Sequence, residues 1–301
     1  MQWGQIKTLF ILCFLVLDIF LLRQFIETRE PDLSFIPETS IEEGLKTDIE
    51  GLDLLTDEAM QGSYLYGSRK ELNDEEKEEL EQFENQEIEV LPGDLIVSKL
   101  TEPVSYDEDN LQSFLESNVL NGENYVFWGK NDETNTLIYF QKIKGNPIYY
   151  NQSGLLLILL NDQDEMVQYT QTILKNEDDQ QEDYDLFTDT EAIMHLYNNT
   201  NELNQGDELT DIKIGYHNLT PLPNGGQVLA PTWKITINEN RNYFIHAIEG
   251  NSFPRDDKSF LEDTIIEIRG LIQDSNNGSD VTKEIQENFS EMIESTNWSG
   301  D

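Results

Sequence analysis

An N-terminal transmembrane helix followed by an extracellular α+β region of two helix-plus-antiparallel-sheet units is the fold the sequence predicts. Three observations carry this reading. Residues Trp3 to Ile26 are almost continuously apolar; two later stretches each place an amphipathic helix before several β-rich segments; and the acidic excess lies wholly beyond the apolar stretch. The chain has 301 residues, a formal net charge of −41 and 37% hydrophobic content. A helix followed by antiparallel strands buries its apolar stripe on one sheet face, which is the α+β solution.

The apolar stretch reads Trp3-Gly4-Gln5-Ile6-Lys7-Thr8, then Leu9 through Leu17, Asp18, Ile19 to Leu22 and Arg23. At 1.5 Å per residue a helix over it reaches roughly 36 Å, enough for a bilayer core. Lys7 and Arg23 suit the two interfaces, as does Trp3. The segment closes on Leu-Leu-Arg-Gln-Phe-Ile with no small-x-small cleavage site, so it predicts a retained anchor rather than a signal peptide. More positive side chains follow the span than precede it, which opposes outward translocation on charge alone. Long domains cross largely regardless of charge, so the expected topology is a short cytoplasmic tail and a large domain outside. Asp18 costs about 2.5–3.5 kcal/mol at a bilayer centre. It is read either as an interfacial or protonated carboxyl, or as a polar contact with another helix.

Residues 31–90 read as an acidic stalk with an exposed helix, the stalk proper running to 68 through Pro31 and Pro37. Asn73 and Glu76 form a capping-box pattern for a helix through Gln86. The first α+β unit, 91–175, has a helix near Asp107–Val119 with Leu111, Phe114, Leu115 and Val119 on one side. Strands follow at Tyr125–Lys130, Thr136–Ile143, Pro147–Asn151, Leu155–Leu160 and Met166–Leu174. The run Leu155–Leu160 is too short to cross a membrane as a helix and predicts a strand buried on both faces. The second unit, 176–270, opens with a polar loop at Asn176–Asp185. Its helix at Thr190–Tyr197, capped by Thr188 or Asp189, carries Ala192, Ile193, Leu196 and Tyr197 at helical spacing. Its strands are expected at Asp211–Tyr216, Val228–Ile237 and Tyr243–Glu249. An acidic extension, 271–301, places Val281, Ile285, Phe289, Met292 and Ile293 on one helical face.

The composition excludes several functions. A surplus of carboxylates is the wrong charge for phosphate contacts, so no nucleic-acid partner is expected. The single cysteine, Cys13, cannot form an internal disulfide. The chain has no Gly-x-Ser-x-Gly elbow, no His-Glu-x-x-His helix and no P-loop. His195, His217 and His246 are isolated in sequence, and no catalytic, metal or cofactor site is predicted. The loop from Asp274 fails the EF-hand pattern because Gly278 takes a ligand position and Ile285 replaces the terminal Glu. Asn161–Glu165 and Glu177–Asp185 read as solvated acidic loops.

Two patches carry a family resemblance. The opening Met1-Gln2-Trp3-Gly4-Gln5-Ile6-Lys7-Thr8-Leu9-Phe10-Ile11, with Leu17-Asp18-Ile19-Phe20-Leu21 closing the span, resembles the start of YycI proteins. So do Ala192-Ile193, Leu196-Tyr197, Gly215-Tyr216, Ala230-Pro231-Thr232-Trp233-Lys234 and Tyr243 through Gly250. The resemblance implies a single-pass, non-enzymatic accessory regulator of the WalK/WalR cell-wall two-component system. It further implies that the chain meets the sensor kinase WalK and a YycH-type paralogue through transmembrane helices. Lys7, Phe10, Phe14 and Asp18 are then the expected contact residues. Ala192, Leu196, Gly215, Tyr216, Pro231, Trp233 and Tyr243 are the expected structural core. Rival readings are an extracytoplasmic ligand- or cation-binding protein and a cell-wall hydrolase built on paired carboxylates.

Overall fold

The computed structural model describes residues 3–28, 38–106, 108–177, 182–200, 202–221, 226–253, 257–274 and 282–288. The chain divides into two units, 1–48 and 49–301. The first holds α1 (Trp3–Thr28) and α2 (Glu38–Asp48), so part of the expected stalk is helical. Within α1 the side chains are described at Lys7 and from Phe10 to Leu22. Among the described residues, no helix is long and apolar enough to cross a membrane.

The second unit begins where strands were not expected. It contains β1 (Ile49–Glu50), β2 (Met60–Gly62), β3 (Leu65–Arg69), α3 (Asp74–Leu80), β4 (Gln86–Leu91), β5 (Leu95–Ser105) and α4 (Glu108–Asn118). The expected capping box is present: Asn73 accepts from the Glu76 N–H, and Glu76 reaches back to the Asn73 N–H. The helix stops at Leu80 rather than Gln86, and Phe83, in the turn before β4, packs on the core.

Next come β6 (Tyr125–Asn131), β7 (Thr136–Ile143), β8 (Asn146–Tyr149), β9 (Leu155–Leu160), β10 (Glu165–Gln171), β11 (Leu174–Asn176) and β12 (Tyr184–Leu186). The expected strand Met166–Leu174 is thus two strands. Then follow α5 (Asp189–Asn199), β13 (Asp207–Pro221), β14 (Gln227–Ile237), β15 (Arg241–His246), β16 (Ser252–Phe253), α6 (Asp257–Asp274) and α7 (282–288). Of the C-terminal apolar positions, Ile285 lies on α7 and is fully buried. Val281, Phe289, Met292 and Ile293 lie outside the described residues.

The architecture is α+β, but its principal sheet is mixed. Fourteen strands join along the order β11-β3-β14-β13-β8-β7-β9-β10-β5-β4, with β1, β6, β15 and β16 attached to it. Most pairings are antiparallel. The exceptions are β1 with β13 and β8 with β13, where Tyr216 lies opposite Ile148 and His217 opposite Tyr149. This parallel ladder joins what read in sequence as two separate antiparallel sheets.

Strand β9 is covered on both faces, as its unbroken aliphatic run requires. Leu156, Ile158 and Leu160 belong to a core with Leu80 of α3 and Leu111, Phe114 and Leu115 of α4. Leu155 and Leu157 face the opposite core, with Leu261, Ile265, Ile268 and Ile272 of α6 and Ile285 of α7. The second face is therefore closed by α6, a helix outside the sequence expectation. On the other half of the sheet, α5 packs on β14 and β15 through Ala192, Ile193 and Leu196, all fully buried.

Candidate partner-binding surfaces

In the N-terminal unit, Lys7, Phe10, Phe14 and Asp18 are spaced by three, four and four residues. That spacing sets them along one stripe of α1. All four are exposed, and the Phe10 and Phe14 rings touch at 5.3 Å. Exposure extends around the helix, from 48% at Leu17 to 67% at Ile11. A soluble surface rarely shows so continuous an apolar area unless something covers it.

The residues of the second sequence patch meet on α5 and on β13 to β15. Ala192 and Leu196 are buried in α5, and Pro231 and Trp233 on β14 are buried as well. The Trp233 Nε1–H donates to the Phe187 carbonyl at 2.8 Å, tying β14 to the residue just before the cap of α5. Thr188 caps that helix by accepting from the Glu191 N–H, with the reciprocal carboxylate bond in place. Gly215 is set by contact rather than by dihedral. A Cβ there would lie 2.4 Å from the Tyr149 ring and 2.7 Å from the Pro147 carbonyl, blocking the approach of β8. Tyr216 is buried, whereas Tyr243 is only half-buried, its hydroxyl 3.4 Å from Arg241. The side chain filling the core from β15 is its neighbour Phe244.

Two of the histidines converge, though on an aromatic residue. His217 stacks on Phe253 at 5.0 Å and 9°, and donates from Nδ1 to the Asn218 carbonyl. His246 lies 6.1 Å from the same ring and accepts at Nδ1 from the Ile248 and Glu249 N–H groups. Burial pushes the His246 pKa down, against the pull of Glu249. His195 sits apart, packed on Phe187 at 4.7 Å, and burial lowers its pKa as well, opposed by Glu191.

A cleft of about 690 Å³ opens beside β15, lined by Lys130, Glu133, Arg241, Asp257 and Lys258 among others. Its charges are matched within the protein. Arg241 pairs with Asp207 at 2.5 Å, Lys130 with Asp164 at 2.7 Å and Lys258 with Glu133 at 3.6 Å. Asp257 accepts from the Trp128 indole at 2.9 Å and the Tyr150 hydroxyl at 2.6 Å. These contacts fix the start of α6.

Among the described residues, no group of three or more His, Cys, Asp or Glu is placed to hold a metal ion. The Asn161–Glu165 loop is closed on itself: Asn161 Oδ1 accepts from the Gln163 and Glu165 N–H groups. Residues 178–181 and 275–281, which belong to the two other acidic loops considered, lie outside the described residues.

Comparisons with known proteins place the chain. Two solved structures are similar to parts of the chain: an uncharacterized protein from Eubacterium rectale and the C-terminal domain of Bacillus megaterium YpeB. The first is 11% identical, with TM-score 0.37, over 69% of this chain and 89% of that one. The second is also 11% identical, with TM-score 0.35, over 61% of this chain and 96% of that one. Neither likeness is close enough to bear on function. No curated protein matches the chain. The family model described as "YycI protein" matches residues 33–248, most of the chain and nearly all of its sheet. The chain belongs to the YycI family of membrane-associated accessory regulators of two-component signalling, which is not a known enzyme family.

Proposed function

We propose that this protein is a non-enzymatic regulator of the sensor histidine kinase WalK, acting with a YycH-type partner through transmembrane helix contacts. In this reading the Trp3–Ile26 segment is a single-pass anchor, the amino terminus is cytoplasmic and the α+β region lies outside. The observation that carries it is the exposed apolar surface of α1 from Phe10 to Leu22, on which spacing sets Lys7, Phe10, Phe14 and Asp18 along one side. Apolar residues give such a face packing area, and Asp18 gives it one polar group able to hydrogen-bond a neighbouring helix.

The mechanism is differential packing. A helix shifts a kinase between two signalling states only if it binds one of them better. A coupling of about 1–3 kcal/mol changes the state ratio by roughly 5- to 150-fold. The α+β region, with its long buried sheet, is the support that presents the anchor and its own surface to partner ectodomains.

Site-specific photocrosslinking from Leu9 to Leu22 in cells tests this reading. Capture of the kinase or its partner with a three- to four-residue periodicity, strongest near Phe10, Phe14 and Asp18, is the expected result. Asp18→Leu, expressed to the wild-type level, should alter kinase co-purification or target-gene output. An unchanged value of both, together with crosslinks to lipid alone, overturns the helix-contact mechanism.

A further inference from the structure

We propose that the outer edge of β4 docks an extended segment of a protein partner in which apolar and basic residues alternate. This inference stands apart from the helix contacts of α1 and concerns the α+β region only.

Among the described residues the edge is open: strand β4 ends the sheet order and pairs with β5 alone. Among the described residues, no other strand or loop backbone bonds to it. An edge strand of this kind presents a row of main-chain donors and acceptors, which is the template used in strand addition.

The two faces of β4 differ, and the difference defines the ligand. On one face, Ile88 and Val90 join Leu80 and Phe83 in a groove of about 430 Å³ running between α3 and the strand. Leu80 is buried in the core, whereas Phe83, Ile88 and Val90 are only half-buried against it. On the other face stand Glu87 and Glu89. The Glu89 Oε2 atom is shielded from solvent yet has no hydrogen-bond partner among the described residues. A half-buried carboxylate oxygen in that state gains from an incoming cationic donor. An added strand sends alternate side chains to opposite faces. Its apolar set then enters the groove while its Lys or Arg set meets Glu87 and Glu89. A second copy of this chain is disfavoured, because its own β4 would bring the same two carboxylates to a molecule already at −41.

The test uses the full chain in mild detergent and a labelled, end-capped decapeptide of alternating valine and lysine. Two comparators are its isomer with five valines followed by five lysines, and an alternating valine–glutamate peptide. Fluorescence anisotropy should show the alternating valine–lysine peptide binding at least tenfold more tightly than either. Hydrogen exchange should slow across 86–91 on binding. The exposed substitution Glu87→Lys should weaken binding by about tenfold without changing the melting temperature. Equal binding of the two valine–lysine isomers would reduce the effect to net charge and overturn the proposal. So would unchanged exchange at 86–91, an unaffected Glu87→Lys variant, or self-association of the chain through that edge.

Discussion

Thr56 is tied twice to Asp189, its backbone N–H at 2.7 Å and its hydroxyl at 2.9 Å from the same carboxylate oxygen. The other oxygen accepts from the Asp57 N–H at 2.9 Å and the Thr190 N–H at 2.7 Å. Thr188 and Asp189 were the two cap candidates for α5. Thr188 performs the capping, and Asp189, 4% exposed, clasps the segment that follows β1. Burial raises the Asp189 pKa, but these donors outweigh it and hold the carboxyl below its usual range. Asp189→Ala leaves donors unsatisfied in a nearly closed site and should destabilise the fold by about 3 kcal/mol, read from urea unfolding by tryptophan fluorescence. A loss under about 0.5 kcal/mol would show that the clasp is dispensable.

The buried indole of Trp233 makes a similar prediction for β14. Trp233→Phe keeps most of the apolar contact but removes the bond to the Phe187 carbonyl. The expected loss is about 1–3 kcal/mol, with the carbonyl left unpaired. Trp233→Leu adds lost volume and should cost more. Equal stability of the Phe variant and the parent protein in chemical melts would remove the hydrogen bond from the argument.

Gly250 holds two constraints at once. Its φ is +72°, and an added Cβ would sit 2.7 Å from the His195 ring. Gly250→Ala therefore pays for a left-handed backbone and for a displaced imidazole, together about 1–3 kcal/mol. Pairing it with His195→Ala should recover the steric part and leave the backbone part. A double mutant as unstable as the two single effects combined would contradict the contact.

Acid should destabilise the protein in two windows. His246 and His195 are both held neutral by burial, each against a nearby carboxylate. An unfolded histidine titrates near pH 6.5, so it takes up protons first as pH falls. The stability these histidines contribute is whole above about pH 6.5 and declines below it, by at most about 1.4 kcal/mol per pH unit for each residue. The second window belongs to carboxylates with lowered pKa. Asp207 is held down chiefly by Arg241, and at Asp211 the bonds from Lys213 and Lys234 outweigh burial. Their contribution is present above about pH 4 and is lost as pH falls through their folded values. Melting temperatures measured from pH 8 to pH 5.5 should fall, and His246→Asn, which retains an acceptor for Ile248 and Glu249, should flatten the curve. An identical curve for that variant would discard the His246 assignment.

What was legible in the sequence was local. Asn73 with Glu76 announces α3, and the run Leu155–Leu160 announces a strand covered on both sides, because each pattern lies within a few consecutive residues. The strands between 49 and 69 left no such trace. They are two to five residues long, and β1, β2 and β3 take partners from β11 to β14. Helix α6 went unread although its pattern is present: Leu261, Ile265, Ile268 and Ile272 recur at helical spacing, with Asp263 and Glu267 on the opposite side. The β4 edge was invisible because a strand edge is a property of what fails to pair.

The placement of β3 has a consequence for biosynthesis. Its two sides are occupied by β11, which ends at Asn176, and by β14, which starts at Gln227. A ribosome must therefore make more than half of the chain before the early segment Leu65–Arg69 has its first neighbour, and still more before it has its second. During that interval one of the first strands synthesised has no place to go. Closing it late joins distant parts of the chain, which is the arrangement that slows folding and prolongs dependence on chaperones.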